Sequence, residues 1–302
     1  MTRKLIDNSD KPLRIFSTGW GWQSVATLVL QAQGKLLNPY DEFVFANVGE
    51  DSENPDTLKY YRDIVIPYAA KHQIKILERQ KMRKGELDTV YKATLRAETN
   101  GIPIPIVFPG SGFGNRTCTR DFKIYVVQGH IKEKKVSHVV MGIGFTKDER
   151  HRLVKRYRGW HDHVMKREKD GTWTAGAKIG FSQLYEFPLV DLGLDRLDCA
   201  QIITGEGLPL PPKSACWFCP FTSRSVWIDR KMNNDPILDQ AIQFEIDVNA
   251  KYKRTRAGNH PKAPTRVAIH SDGIPLTDIP LQQSLWDDYK DKDSSCDDVC
   301  GL

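Results

Sequence analysis

The sequence predicts an α/β protein built on a doubly wound parallel sheet, with a smaller cysteine-containing section at its carboxy-terminal end. Two observations carry this. Short β-branched runs alternate with longer stretches of helical period, and strands separated by helices of roughly 10–15 residues are the mark of a parallel sheet covered on both faces. The composition of the 302 residues, 40% hydrophobic and 27% charged, is that of an ordinary globular chain able to build a sizeable core.

In order, residues 13–16 read as a first strand and 23–33 as a helix with Val25, Leu28 and Val29 on one face. Residues 43–46 form a second strand, 56–71 a helix and 74–77 a third strand. A helix over 123–134 and a fourth strand over 139–142 complete the pattern. Residues 103–115, rich in Pro and Gly, read as a loop, and the polar, basic and aromatic stretch 150–173 as an exposed excursion or flap. The prolines of 205–213 suggest a hinge, followed by a helix over 235–253 and a loose basic stretch over 254–266. The length exceeds the usual 100–200 or so residues of one domain. The expected division is a nucleotide-binding domain over 1–212 and a metal or redox section with a flexible tail over 213–302.

No run of about 18 apolar residues and no hydrophobic amino-terminal stretch is present, which argues against a membrane span or secretory signal. A cytoplasmic location is expected. Six cysteines are too sparse for a disulfide scaffold, so metal or redox roles come first. The net charge of +6 suits a nucleic acid or a phosphorylated ligand, and equally neither.

The most informative segment is Ser17-Thr18-Gly19-Trp20-Gly21-Trp22-Gln23-Ser24, between a strand and a helix. Such a loop offers backbone N–H groups, small hydroxyls and a helix amino terminus to phosphate. It lacks the Gly-Lys-Ser/Thr ending of a Walker loop, and Ser24 stands where a dinucleotide fingerprint needs its last glycine. A tight turn with no ligand is the competing reading.

The loop resembles the pyrophosphate (PP) loop of the ATP pyrophosphatase and phosphoadenosine phosphosulfate (PAPS) reductase superfamily, with Thr18 and Gln23 departing from its Ser-Gly-Gly-x-Asp-Ser pattern. Four further segments resemble that superfamily in order. They are Phe45-Ala-Asn-Val-Gly-Glu50, Cys118-Thr-Arg-Asp-Phe-Lys123, the run from Gly142 to Arg152, and Phe187-Pro-Leu189 with residues 207–211. The resemblance implies a HUP or adenine nucleotide alpha-hydrolase-like fold that binds ATP or PAPS. Ser17, Thr18, Gly19, Gly21, Gln23 and Ser24 would hold phosphate, and Asn47 and Gly142 would line the nucleotide. The departure at Gln23 puts ATP hydrolysis itself in question.

Cys216-Trp-Phe-Cys219 is a close pair on a turn, able to direct two thiolates at one metal. The resemblance adds Cys118 as a third ligand. Together the three imply a [4Fe-4S] cluster with one iron open to sulfide; zinc, or plain buried thiols, are the alternatives. Cys199, on an amphipathic segment, reads as a core thiol. The ending Cys296-Asp-Asp-Val-Cys300-Gly-Leu302 resembles the mobile catalytic tail of sulfonucleotide reductases without its Glu and His. Cys300 is thereby a candidate nucleophile served by a thioredoxin-like reductant, a redox partner of Cys296, or part of an inert tail.

Arg150 and Arg152, beyond a strand's carboxyl end, are placed to grip phosphate or sulfate bidentately, and Asp148 or Glu149 to ligate Mg2+. A solvated charged loop is the competing reading. Residues 155–163 interleave aromatics with cations as single-strand nucleic-acid surfaces do, and include His161 and His163 as weaker metal-ligand candidates. The leading expectation is an ATP-dependent enzyme that adenylates and thiolates a nucleic-acid base or similar acceptor. A thioredoxin-linked PAPS reductase using Cys300 is the alternative, and a non-catalytic nucleotide- or nucleic-acid-binding module the third.

Overall fold

The computed structural model describes residues 11–153, 159–167, 173–255, 258–261 and 263–280. Strand β1 (Leu13–Thr18), helix α1 (Trp22–Ala32) and strand β2 (Glu42–Ala46) come first. A helical run follows, comprising α2 (Pro55–Tyr60), a π-helical turn (Tyr61–Val65) and α3 (Ile66–Lys71), and leads to β3 (Ile76–Arg79). Two small hairpins, β4 (Met82–Arg83) with β5 (Glu86–Leu87) and β6 (Val107–Phe108) with β7 (Gly112–Phe113), flank α4 (Val90–Leu95). A second π turn (Arg120–Ile124) enters α5 (Tyr125–Glu133), followed by β8 (His138–Ile143) and a 3-10 turn (Lys147–Arg152). Strands β9 (His161–Arg167) and β10 (Trp173–Glu186) precede α6 (Pro188–Asp191), α7 (Arg196–Gly205), α8 (Arg224–Met232) and α9 (Pro236–Arg254).

Six strands make the central sheet in the order β3-β2-β1-β8-β10-β9, parallel throughout except β9, which runs antiparallel to β10. The expected parallel α/β sheet forms for the reason its strands announce. Alternate residues of β1 and β2 are apolar on both faces, so both faces must be covered. Phe16, Phe43 and Phe45 pack beneath α1, the π turn and α7, while Ile15, Val44 and Ala46 pack beneath α5 with Val127 and Ile131. From β1 the chain steps to β2 and β3 on one side, whereas β8 and β10 lie on the other. The sheet order therefore reverses between β1 and β8, and in open α/β sheets the ligand crevice lies at such a reversal, outside the strands' carboxyl ends.

Two stretches differ from expectation. The third strand starts two residues late, because the Ile74 N–H bonds back to the Ala69 carbonyl (2.9 Å) and closes α3 through Gln73 in the left-handed region. The excursion beyond residue 150 contains an edge hairpin, β9 on β10, whose Gly and Ala residues hid its strand character. Because Ser182 pairs with His138 at the start of β8, the earlier part of β10 extends beyond the sheet's amino edge.

A second core joins residues of both halves of the chain. Val48, Val90, Ile104 and Phe122 pack with Trp217, Phe218, Trp227, Phe244 and Ile269. Among the described residues no helix is long and apolar enough to cross a membrane.

At the amino edge of the sheet, the buried carboxylate of Glu42 gathers Lys75, Lys134 and His130 Nε2, each at 2.7 Å. Arg79 Nε donates to His130 Nδ1 (3.2 Å), so that nitrogen accepts and Nε2 carries the proton given to Glu42. Burial pushes the Glu42 carboxyl up, but the hydrogen bonds from Lys134, Lys75 and His130 outweigh it and hold the group down at about 2, against an ordinary 4.5. The carboxylate's contribution is thus fully present above pH 4.5 and is lost as pH falls toward 2. Discounted for its partly exposed lysine partners, it is worth about 1–2 kcal/mol. Glu42→Gln is expected to lower the urea-unfolding free energy by that amount at pH 7, and the gap should narrow steadily below pH 4.5. A gap independent of pH would refute the ionic origin.

Candidate nucleotide and thiol site

Beyond β1 the chain makes a tight turn through Gly19, Trp20 and Gly21 into α1. Trp20 sits in the left-handed region at φ 62°, an outlying conformation for so bulky a residue. Its indole is fully buried and stacks on Tyr61 of the π turn, with ring centroids 5.5 Å apart. The packing of this one side chain sets the path of the loop. Within it, the Gly19 N–H points to Ser24 Oγ (3.4 Å) and the Trp20 N–H to Thr18 Oγ1 (3.2 Å).

The first turn of α1 is bare. Gly21 is its N-cap, without a capping side chain or an acidic neighbour, and the first intrahelical bond runs from the Val25 N–H to the Gly21 carbonyl. By contrast, side chains of Asn54, Thr89, Asp195 and Asp235 cap α2, α4, α7 and α9. The N–H groups of Trp22, Gln23 and Ser24 precede that first bond and, with the helix dipole, favour an anion at the crevice.

Ser17 and Thr18 end β1 against this crevice, and Gln23 is buried, with its Cβ only 3.2 Å from where a side chain on Gly144 would begin. Asn47 is wholly engaged in a turn: its Oδ1 accepts from the Gly49 N–H (2.8 Å), and its Nδ2 donates to Glu78 (2.7 Å) and Glu50 (3.3 Å). Gly142 has a packing reason, since a Cβ there would overlap the Tyr40 ring.

After β8, Glu149 Oε2 accepts from the Thr146 N–H (3.1 Å) and Oγ1 (3.0 Å) in a capping box. This carboxylate already serves the backbone and is less suited to Mg2+ than exposed Asp148. Lys147 pairs with Asp195 (2.9 Å), and Arg150 is exposed. Of the other histidine candidates, His161 Nε2 meets Gln183 (3.0 Å) and His163 Nδ1 meets Asp162 (2.6 Å).

Residues 205–213, expected to act as a hinge, run into a strap tied across the sheet's carboxyl edge. Tyr60 Oη donates to the Pro209 carbonyl (2.7 Å) and Trp22 Nε1 to that of Pro211 (2.9 Å). Further on, the Asn54 N–H donates to the Ala215 carbonyl (3.0 Å), the Trp217 N–H to that of Ser52 (3.2 Å), and Trp217 Nε1 to that of Asp51 (2.8 Å). The strap carries Ser214 over the glycine loop. A Cβ on Gly19 would stand 3.1 Å from Ser214 Oγ, and one on Gly21 3.8 Å from Ser214 Cβ.

Two residues later the strap reaches the cysteines. The Cys219 N–H bonds to the Cys216 carbonyl (3.0 Å), closing a turn whose middle residues Trp217 and Phe218 are buried in the second core, with Phe218 4.2 Å from Phe244. The apolar pair anchors the turn, leaving Cys216 and Cys219 on the wall of a cleft. Cys118 lies on the same wall, along with Val48, Ile104, Arg116 and Lys123. Its helix starts where the Thr117 and Cys118 N–H groups both donate to the Pro103 carbonyl (3.0 Å each), then passes into the π turn over Arg120–Ile124. Such turns are frequent at functional sites. Arg116 Nη2 is buried with no hydrogen-bond partner, and Arg116 lies over the Phe221 ring at 5.2 Å. Glu53, bridged to Cys216 through the backbone, is buried with Oε1 unpartnered; burial pushes its carboxyl up, and nearby Lys123 pulls it back.

The three cysteines proposed from sequence therefore share one cleft, although among the described residues no three His, Cys, Asp or Glu side chains are grouped closely enough to hold a single metal ion. Cys199 is a core thiol, pushed up to about 12 by burial. The side chain of Arg152 lies outside the described part of the structure, as do residues 154–158 of the basic segment, Cys296 and Cys300. Ser214, Arg116 and Glu53 escaped the reading of the sequence. Ser214 had one signal, its place two residues before the Cys-x-x-Cys pair.

No protein-family model matches the chain, and no curated protein matches it in sequence. Among solved structures it is similar to the U34-tRNA thiolase NcsA from Methanococcus maripaludis with its [4Fe-4S] cluster. That likeness is distant: TM-score 0.38 and 12% identity, covering 85% of this chain and 76% of the other.

Proposed function

We propose that the protein is an adenine-nucleotide-dependent sulfur-transfer enzyme that activates an oxygen with ATP and replaces it with sulfur, the acceptor being a nucleic-acid base or a similar carbonyl compound. The observation that carries the reading is the strap, which holds Ser214 over the glycine loop and Cys216 and Cys219 on the cleft shared with Cys118. On this reading nucleotide and sulfur chemistry would take neighbouring places joined by the strap.

The α1 amides would receive the ATP phosphates at the switch point. The acceptor oxygen attacks the α-phosphorus, the bond to pyrophosphate breaks, and the bare helix terminus stabilises the charge gathering on the leaving group. A hydrosulfide sulfur then attacks the activated carbon, and AMP departs with the original oxygen. Arg150 is exposed beyond β8, available to a phosphate without giving up a buried ion pair. Asp148 is the better placed of the two acids for Mg2+ held with phosphate oxygens.

Cys118, Cys216 and Cys219 would hold an iron–sulfur cluster. The donor set fits: three thiols on apolar walls, with Arg116 and Lys123 nearby to favour thiolate. A single zinc ion would need its sulfurs about 3.8 Å apart, from a Zn–S bond of roughly 2.3 Å, whereas a cluster seats each thiolate on a separate iron. When bound, such a cluster supplies an iron open to a sulfur ligand. Lys123, on the cleft lining, would then offset the negative charge of the thiolates.

Gly21→Val tests the nucleotide half. A Cβ is tolerated there, its nearest neighbour being Ser214 Cβ at 3.8 Å, so the fold should persist while the valine methyls enter the phosphate space. ATP affinity by calorimetry should fall about tenfold or more. Undiminished affinity, or a wild-type chain that binds no ATP, would refute the loop assignment. For the whole reaction, pyrophosphate release should depend on an RNA acceptor; release of sulfite from PAPS instead would overturn it.

A further inference from the structure

We infer that Ser214 is a phosphate-contacting residue, supplied by the strap, which makes nucleotide binding on the glycine loop felt at the Cys216–Cys219 turn. The inference deepens the reading above and rests on its glycine-loop assignment. Ser214 is only 5% exposed, yet its Oγ has no hydrogen-bond partner. A buried hydroxyl in a native fold ordinarily has one. The hydroxyl lies 3.1 Å from the point where a side chain on Gly19 would begin, so it stands over the glycine loop that leads into α1, whose first turn has neither a capping side chain nor an acid. An anion on the α1 amides supplies the acceptor that both features lack. The two observations are independent: one concerns the first turn of α1, which begins at Trp22, the other a side chain nearly two hundred residues later.

The same geometry transmits the contact. Ala215 and Trp217 are bonded to Asn54 and Ser52 on either side of the Glu53–Cys216 bridge, so the segment from Ser214 to Cys216 is short and held at both ends. A small displacement of Ser214 toward phosphate must be taken up at Cys216, which lines the thiol cleft. Sulfur chemistry is then available in step with a loaded nucleotide.

Full-length wild type and Ser214→Ala are compared by calorimetry with ATP and with adenosine, and by mass-spectrometric rates of Cys216 alkylation with and without ATP. Loss of one hydrogen bond to a charged phosphate should weaken ATP binding about tenfold, with adenosine binding unchanged. In wild type ATP should change the Cys216 alkylation rate at least about threefold, and this response should vanish in the variant. Should Ser214→Ala unfold, Ser214→Gly gives the same readouts. Equal ATP affinities in wild type and variant would overturn the phosphate contact while leaving the glycine loop as a nucleotide site. An ATP effect on Cys216 that survives in the variant would overturn the coupling. A wild type that binds no ATP would remove the glycine-loop assignment and this inference with it.

Discussion

Cys118→Ser protein, purified without oxygen, is expected to emerge without the broad visible absorption of an iron–sulfur centre and with less than about a tenth of the wild-type metal. Serine keeps the shape of the side chain but offers no soft thiolate, and two sulfurs on the Cys216–Cys219 turn are too few for a cuboidal cluster. The fold should survive, because Cys118 is half-buried at the start of a helix whose core residue is Phe122. Pyrophosphate release is expected to persist in this variant while sulfur transfer is lost, because the proposed first step would use the glycine loop and the second the thiols. Full metal occupancy would exclude Cys118 from the centre. Zinc in place of iron, lost equally on substitution, would retain the ligand set and replace the cluster.

Trp20→Ala should cost about 3–5 kcal/mol in urea unfolding, since it empties a fully buried aromatic site between Phe43, Phe45 and Tyr61. The left-handed backbone adds an unusual signature. Alanine at φ 62° retains the strain that glycine does not, so Trp20→Gly should be the more stable of the two variants, by up to about 1 kcal/mol. Elsewhere in a protein that order is commonly reversed. Alanine proving the more stable would show that the loop relaxes to another conformation once the indole is gone.

The parallel sheet was legible because β1, β2 and β8 are short apolar runs with helical periods between them. The hairpin of β9 and β10 was not, because Lys178, Gly180 and Gln183 break any strict alternation and the strand is held by pairing rather than by its own pattern. At the site, the glycine loop and the three cysteines could be named from spacing and resemblance. Asn47 could be named too, but its hydrogen bonds to Gly49, Glu78 and Glu50 depend on a strand junction that spacing does not reveal. Ser214 escaped for a different reason, its only signal being its place before the Cys-x-x-Cys pair. A serine acquires meaning only from what it faces, and Gly19 is far away in sequence.

The cleft also sets an order of events during synthesis. Its walls run from Val48 to Phe221, and Cys118 is followed by about a hundred residues before Cys216 is made. At roughly 5–20 residues per second, the first thiol waits some 5–20 seconds for its partners. Joining them closes a loop whose chain-length term alone is about 4 kcal/mol. The β1–α1–β2 unit needs no such closure and can form while the ribosome is still at work. The thiol cleft is therefore a late product of folding, and the proposed cluster would have to be assembled on a chain whose glycine loop is already in place.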